Sequence, residues 1–146
     1  MQIRPMNSAE IPRVARLMCQ LWPEHDVVEM SSELADIANN EEAAVFLAIC
    51  DNEPVGFAQC QLRHDYVEGT NSSPVGYLEG IYVTPEYRHE GVASQLLWCC
   101  EAWAKTKQCK EFASDCELEN TESQAFHHRL GFQEANRIVC YVKPLE

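Results

Sequence analysis

The stretch VTPEYRHEGVASQLL, Val83 to Leu97, decides how the rest of the chain is read. A strand-like run, YLEGIYV from Tyr77 to Val83, stops at Thr84-Pro85, passes through a charged turn and restarts as a helix at Gly91. A plain strand-to-helix connection needs only a few turn residues. This one carries Arg88, Gly91 and Ala93 at the spacing R-x-x-G-x-A. The start of a helix presents unpaired N–H groups and a partial positive charge, so it attracts anions. Gly91 permits close approach and backbone angles that other residues avoid. Ala93 keeps the first helical turn small, and Arg88 adds a donor fork suited to phosphate oxygens. The turn therefore reads as a pyrophosphate site. It has neither G-x-x-x-x-G-K-[ST] nor G-x-G-x-x-G, which excludes the two best-known phosphate loops.

Outward from this turn, the chain alternates strands and helices. MQIRPM reads as a first strand ending at Pro5. Asn7 to Glu10 offers a helix start, and Ile11, Val14, Leu17, Met18 and Leu21 recur at helical spacing up to the stop at Trp22-Pro23. Val27 to Asn39 reads as a second helix with Met30, Leu34 and Ile37 on one face. Ala43 to Asp51 is an apolar run typical of a buried strand, and after the turn Asp51 to Pro54 the strand Val55 to Tyr66 makes a hairpin with it. A polar loop, Glu68 to Pro74, precedes the strand Val75 to Val83. The helix from Gly91 to about Lys107 places Val92, Leu96, Cys100 and Trp103 on its inner face. A strand from Glu111 to Ser114, a helix from Thr121 to Leu130 closed by Gly131, and a last strand from Ile138 to Val142 complete the order β-α-α-β-β-β-α-β-α-β. An antiparallel meander followed by a β-α-β unit predicts an α/β (α+β) fold, a mixed central sheet with helices on both faces.

Composition bounds the function. The 146 residues suit one domain, residues 1–146. With 46% hydrophobic and 23% charged residues, the chain has the composition of a folded globule. No apolar run approaches the roughly 20 residues of a membrane span. The N-terminus has no signal-peptide stretch, and a cytoplasmic protein is expected. The eight cysteines form no C-x-x-C pair, so neither a disulfide framework nor a metal site is expected; they read as small buried hydrophobes. A net charge of −12 argues against a nucleic-acid partner. It permits a cationic ligand drawn in by the field of the protein, and it equally serves solubility.

IYVTPEYRHEGVASQLL resembles the acetyl-CoA-binding motif of the GNAT N-acetyltransferases, and AFHHRLGF, Ala125 to Phe132, resembles the closing helix of that family. LWPEHD (Leu21 to Asp26), HDYVEGT (His64 to Thr70), YLEGIYV and EFASDCELEN (Glu111 to Asn120) are together similar to the aminoglycoside 6′-N-acetyltransferases. The resemblance covers the full length. It implies acetyl-CoA as co-substrate, held by Ile81, Tyr82, Val83, the turn Arg88, His89, Glu90, Gly91, Val92, Ala93 and Ser94, and Asn120. It implies contacts to an aminoglycoside from Trp22, His25, Tyr66, Glu79 and Asp115, and it implies a homodimer. Two positions depart from the pattern. Asn136 stands where the subfamily often has a further acidic substrate contact, with Glu134 nearby, and His127 stands where many members carry a tyrosine that protonates the leaving thiolate.

Acetyl transfer to an amine needs a neutral amine, a polarised thioester, their approach, and a receiver for the thiolate. Glu79 and Asp115 lie on separate predicted strands. Such a pair suits a polyamine, because it holds ammonium groups and one carboxylate can accept the proton as the amine attacks. Asp115 is assigned as that base and Glu79 as its binding and orienting partner. A backbone N–H within Ile81 to Val83 is expected to meet the oxyanion. Gly80, inside a strand, suggests a bulge or a close backbone approach that would admit the pantetheine arm. Trp22 and Tyr66 suit apolar walls against sugar rings. Two other readings stay open at this level: a GNAT enzyme acting on another cationic amine, such as a polyamine or amino-sugar metabolite, and a GNAT module that binds acetyl-CoA without catalysis.

Overall fold

The computed structural model describes all 146 residues. Five strands form one sheet in sequence order: β1 (Gln2–Pro5), β2 (Ala43–Cys50), β3 (Glu53–Arg63), β4 (Val75–Val83) and β5 (Phe112–Ala113). The first four pair antiparallel and β5 joins β4 in parallel. The crossover from β4 to β5 runs through α3 (Val92–Thr106). Two helices, α1 (Ile11–Leu21) and α2 (Val27–Ala38), connect β1 to β2, and α4 (Thr121–Arg129) follows β5.

The alternation of the strands produces two cores. Val45, Leu47, Ile49 and Phe57 point to one face and meet Val14, Leu17 and Met18 of α1 and Met30 and Leu34 of α2. Ala48, Ala58, Cys60 and Leu78 point to the other and meet Val92, Leu96, Leu97 and Cys100 of α3. Helices on both faces match the expected class. Phe57 is wholly buried at the centre of the first core, where truncation to alanine costs about 3–5 kcal/mol.

Local signals account for the helix boundaries. Asp26 caps α2 by accepting from the Glu29 N–H at 2.8 Å. Near the first helix, Ser8–Glu10 forms a 3-10 turn before the α-helix proper. Glu10 is buried there, receives two bonds from Arg4 at 2.9 and 2.6 Å, and accepts the Asn7 N–H at 2.9 Å. The Arg4 bond above all holds its carboxyl at a pKa of about 2. Gly131, at φ +91°, ends α4 as expected.

Three boundaries differ from the expectation. β3 ends at Arg63, so Tyr66 lies on the loop beyond it. β5 keeps only Phe112 and Ala113 of the segment expected from Glu111 to Ser114. Ile138 to Val142 forms no strand at all. An isolated strand leaves its backbone groups unpaired, and this stretch has no neighbouring strand within its own chain. After Phe132 packs against the α3 core, the chain passes the loop after β3, where Asn136 donates to Glu68 at 2.7 Å. It then runs exposed to the end.

Candidate active site

The β3–β4 register contains one irregularity, and it falls at the expected carboxylate. Gln59 lies opposite Gly80 and Cys60 opposite Leu78, so Glu79 is the extra residue of a bulge. A bulge bends its strand and re-aims the extra side chain. Gly80 does allow a close approach, but by a side chain: a Cβ there would lie 2.4 Å from the Trp22 ring. Trp22, at the end of α1, leans on Phe57 at 5.8 Å between ring centroids. Its ring therefore lies over β4 beside Glu79. Together with Glu24, His25, Met30, Glu33 and Gln59, these two residues line an open cleft of about 280 Å³.

On the other side of β4 the sheet opens. β5 pairs with β4 only at Gly76–Phe112 and Tyr77–Ala113. The Thr84 N–H bonds to Val55 O of β3 at 2.8 Å. Strand alternation therefore turns the N–H groups of Ile81 and Val83 away from β3, into the gap that β5 has left. The gap leads to the turn before α3. Gly91 has φ +80°, the left-handed region that favours glycine, and no atom lies within 4 Å of a Cβ built there. No side chain caps α3, and its first backbone bond is Gln95 N–H to Gly91 O at 3.2 Å. The N–H groups of Val92, Ala93 and Ser94 are left pointing out of the helix start. An elongated ligand with a phosphate at one end and amide groups along its arm fits this run.

Two residues placed in the cofactor set are partly engaged. The Nε of Arg88 donates to Val83 O at 2.7 Å, and its guanidinium lies 5.2 Å from the Tyr82 ring. That folds Arg88 back on the strand end, with its terminal nitrogens left over. Asn120 caps α4 by accepting the Ser123 N–H at 3.1 Å. Glu90 and His89 complete the turn, with His89 at φ +65°.

The expected acceptor residues fall into a connected group and a peripheral one. Asp115 follows β5 and accepts a hydrogen bond from the Tyr77 hydroxyl. Burial above all, and then this carboxylate, push the Tyr77 phenol well above its ordinary pKa, so it remains a proton donor to Asp115. Arg63 stacks on the Tyr77 ring and binds Glu79, which links the two carboxylates through two intervening side chains. His25 is held by Glu29 at 3.0 Å, and this bond raises its pKa. Tyr66 is 76% exposed and its hydroxyl receives only a long bond, 3.4 Å, from the Gly69 N–H. Asn136 is tied to Glu68, and Glu134 to Arg137 at 2.9 Å, so neither faces the Trp22 cleft.

His127 does not stand free at the site. Its Nδ1 lies 2.6 Å from Ser123 O and its Nε2 2.8 Å from Ser114 Oγ, with Phe132 at 5.0 Å between ring centroids. Both ring nitrogens serve the packing of α4. Sequence reasoning passed over Arg63 and Tyr77. The signal was present in part: Tyr77 and Glu79 share the run YLEGIYV, and Arg63 directly precedes HDYVEGT. No group of His, Cys, Asp and Glu side chains could hold a metal ion.

Comparison with known proteins agrees with this geometry. The profile of the acetyltransferase (GNAT) family matches residues 11–132. The chain is 43% identical over 143 residues to an aminoglycoside N(6′)-acetyltransferase type 1 of Salmonella enteritidis, covering 98% of this chain and 99% of that one. It is 45% identical over 147 residues to one of Stenotrophomonas maltophilia, covering 99% and 94%. Among solved structures, AAC(6′)-Iy in complex with a bisubstrate analogue, CoA-S-monomethyl-acetylneamine, superposes with a TM-score of 0.94 at 42% identity, covering 99% of this chain and 98% of that one. This chain belongs to the acetyltransferase (GNAT) family, within the branch formed by the aminoglycoside N(6′)-acetyltransferases.

Proposed function

We propose that the protein, as one GNAT domain over residues 1–146, transfers the acetyl group of acetyl-CoA to the 6′-amine of aminoglycoside antibiotics and so confers resistance. The observation that carries this reading is the junction at β4. One strand presents the bulged Glu79 beside Trp22 to the cleft and the N–H groups of Ile81 and Val83 to the gap. Donor and acceptor would meet on that strand. Acetyl-CoA supplies the thioester, whose C–S bond breaks as the new N–C bond forms. The α3 start, Val92 to Ser94, would hold the pyrophosphate, and the strand N–H groups would receive the carbonyl oxygen as charge develops on it. The Trp22 face suits a sugar ring, and Glu79 suits the amine or a hydroxyl beside it. Asp115 Oδ1, or a water on it, would take the proton from the attacking nitrogen, while the Tyr77 hydroxyl holds Oδ2.

The test is thiol release from acetyl-CoA with three acceptors: an aminoglycoside bearing a 6′-amine, one bearing a 6′-hydroxyl, and spermidine. The reading expects release with the first to exceed the others by at least about 100-fold in kcat/KM. Equal or faster release with spermidine would favour the polyamine reading. Binding of acetyl-CoA without release on any amine would favour a non-catalytic module.

The working form is proposed to be a homodimer in the cytoplasm, where acetyl-CoA is supplied. Support for the dimer lies in residues 133–146. Ile138, Val139, Tyr141, Val142 and Leu145 are all more than 60% exposed, and the outer edge of β5 has no partner. A second copy could supply the strand that each chain lacks. Sedimentation should give a dimer for the full chain and a monomer for a chain ending at Arg137. A full-length monomer at micromolar concentration would remove the proposal.

A further inference from the structure

Between the two carboxylates assigned to the acceptor lies a permanent cation. Arg63, the last residue of β3, donates Nε to Glu79 Oε2 at 3.2 Å and Nη2 to both Glu79 oxygens at 3.0 Å. Its guanidinium carbon sits 3.5 Å from the centroid of the Tyr77 ring. The hydroxyl of that ring donates to Asp115. The series Glu79–Arg63–Tyr77–Asp115 is thus continuous, and the guanidinium compensates one of its two negative charges.

The linings of the two clefts beside Glu79 and Arg63 hold no other permanent cation, and Arg137, the cation near Cys116 next to Asp115, is paired with Glu134. Across the cleft stand Glu24, Glu33 and His25, the last tied to Glu29. Beyond Arg63 come His64, bound to Glu42 at 3.0 Å, then Asp65 and Tyr66. An acceptor that enters as a polycation meets a strongly negative wall. That wall favours binding and opposes reaction. An ammonium beside uncompensated carboxylates holds its proton more tightly, and only the neutral amine attacks.

We propose that Arg63 is the charge-balancing, positioning residue of the acceptor site: it neutralises Glu79, steadies the Tyr77–Asp115 contact, and leaves Asp115 as the carboxylate that takes the proton. The inference rests on the reading that the acceptor is a cationic amine. Glu79 then orients the acceptor as a compensated acceptor of hydrogen bonds. The guanidinium charge opposes the field of the acids at the attacking nitrogen. Lysine keeps the charge without the planar fork.

The experiment is the pH dependence of kcat for Arg63→Met, Arg63→Gln and Arg63→Lys beside the unaltered enzyme. It is run with a 6′-amino aminoglycoside and with spermidine, and read on whichever is turned over. Loss of the cation raises the proton affinity of the bound amine, which then lies beside uncompensated carboxylates. The acid limb therefore moves to higher pH, by about one unit in both neutral variants. The acceptor KM falls or holds, the acetyl-CoA KM stays within about twofold, and Arg63→Lys keeps most of the original limb. Two neutral replacements of different shape guard against one that fails to fold. A limb that stays in place, or a kcat reduced equally at every pH, would overturn the role of Arg63. Turnover of spermidine but not of the aminoglycoside would remove the antibiotic reading and still test Arg63. An enzyme inert toward both amines would end both.

Discussion

The two halves of the site are built from different material. The proposed donor half, from the β4–β5 gap to the start of α3, is mostly backbone: N–H groups of Ile81 and Val83, and those of Val92, Ala93 and Ser94 behind Gly91. The proposed acceptor half is side chain: Trp22, Glu79, Arg63, Tyr77 and Asp115 joined by a ring contact, an ion pair, a stack and a hydrogen bond. A backbone site depends on where the chain turns, so a glycine at the right place maintains it. A side-chain site depends on which residues converge from distant segments. β4 serves both, because its bulge faces Glu79 to one side while its N–H groups face the other.

The sharpest way to break this comparison is at Asp115. Asp115→Ala should lower kcat with the aminoglycoside by about 10²–10⁴-fold, the range of a lost general base, with the acetyl-CoA KM unchanged. Stopped-flow or steady-state thiol release measures it. A loss under threefold would place the base elsewhere.

Next comes Gly80. A methyl group there meets the Trp22 ring at 2.4 Å, and ring carbons cannot give way while Trp22 stays packed on Phe57. Gly80→Ala should raise the acceptor KM by about 10-fold and cost about 1–3 kcal/mol of stability, as overpacking does. Titration of the antibiotic and thermal melts read the two effects. An unchanged acceptor KM would mean that the Trp22 position is immaterial to the acceptor.

Gly91→Ala is smaller and falls on the opposite half. Within the protein, space is free around the added methyl, so the left-handed φ costs about 1 kcal/mol of stability, and the methyl enters the open space through which a pyrophosphate would approach the α3 start. The expected outcome is a rise of about fivefold in the acetyl-CoA KM at constant acceptor KM, measured by thiol release at saturating antibiotic.

Glu10 serves as a control outside both halves. Its folded pKa of about 2 lies below its ordinary value of 4.5. The Arg4–Glu10 pair therefore stabilises the fold fully above pH 4.5, and the contribution is lost as pH falls toward 2. Glu10→Ala should cost roughly 2 kcal/mol at neutral pH and less than that in acid, because it removes a buried, charge-assisted pair whose arginine is partly in water. Urea melts at pH 7 and pH 3 measure the difference. Neither KM should move.

The same contrast explains what was legible in the sequence. The R-x-x-G-x-A turn marked the proposed donor half and the glycine in YLEGIYV marked the place where Trp22 lies on β4, because backbone devices leave a local mark: a residue without a Cβ at a fixed distance from a strand end. The meander, the crossover and helices on both faces of the sheet followed from periodicity. The acceptor half left less. Arg63 and Glu79 are 16 residues apart and Tyr77 and Asp115 are 38 apart, so no local pattern reports that they meet. Trp22, His25 and Tyr66 were named through resemblance, and the structure gathers Trp22 and His25 at the cleft while Tyr66 stays out on its loop. The stretch Ile138 to Val142 carries the composition of a strand, yet pairing is a property of two strands, and this stretch lies along none in the sheet.

The two proposed halves around β4 act independently, and that independence can be measured directly. The direct measurement is calorimetric titration of acetyl-CoA into Asp115→Ala and Gly91→Ala, paired with the acceptor KM of each where turnover remains. The account predicts a Kd for acetyl-CoA within about twofold of the unaltered enzyme in Asp115→Ala, and a Kd raised about fivefold in Gly91→Ala with the acceptor KM unchanged. A Kd raised 10-fold or more in Asp115→Ala, or left unmoved in Gly91→Ala, would contradict it.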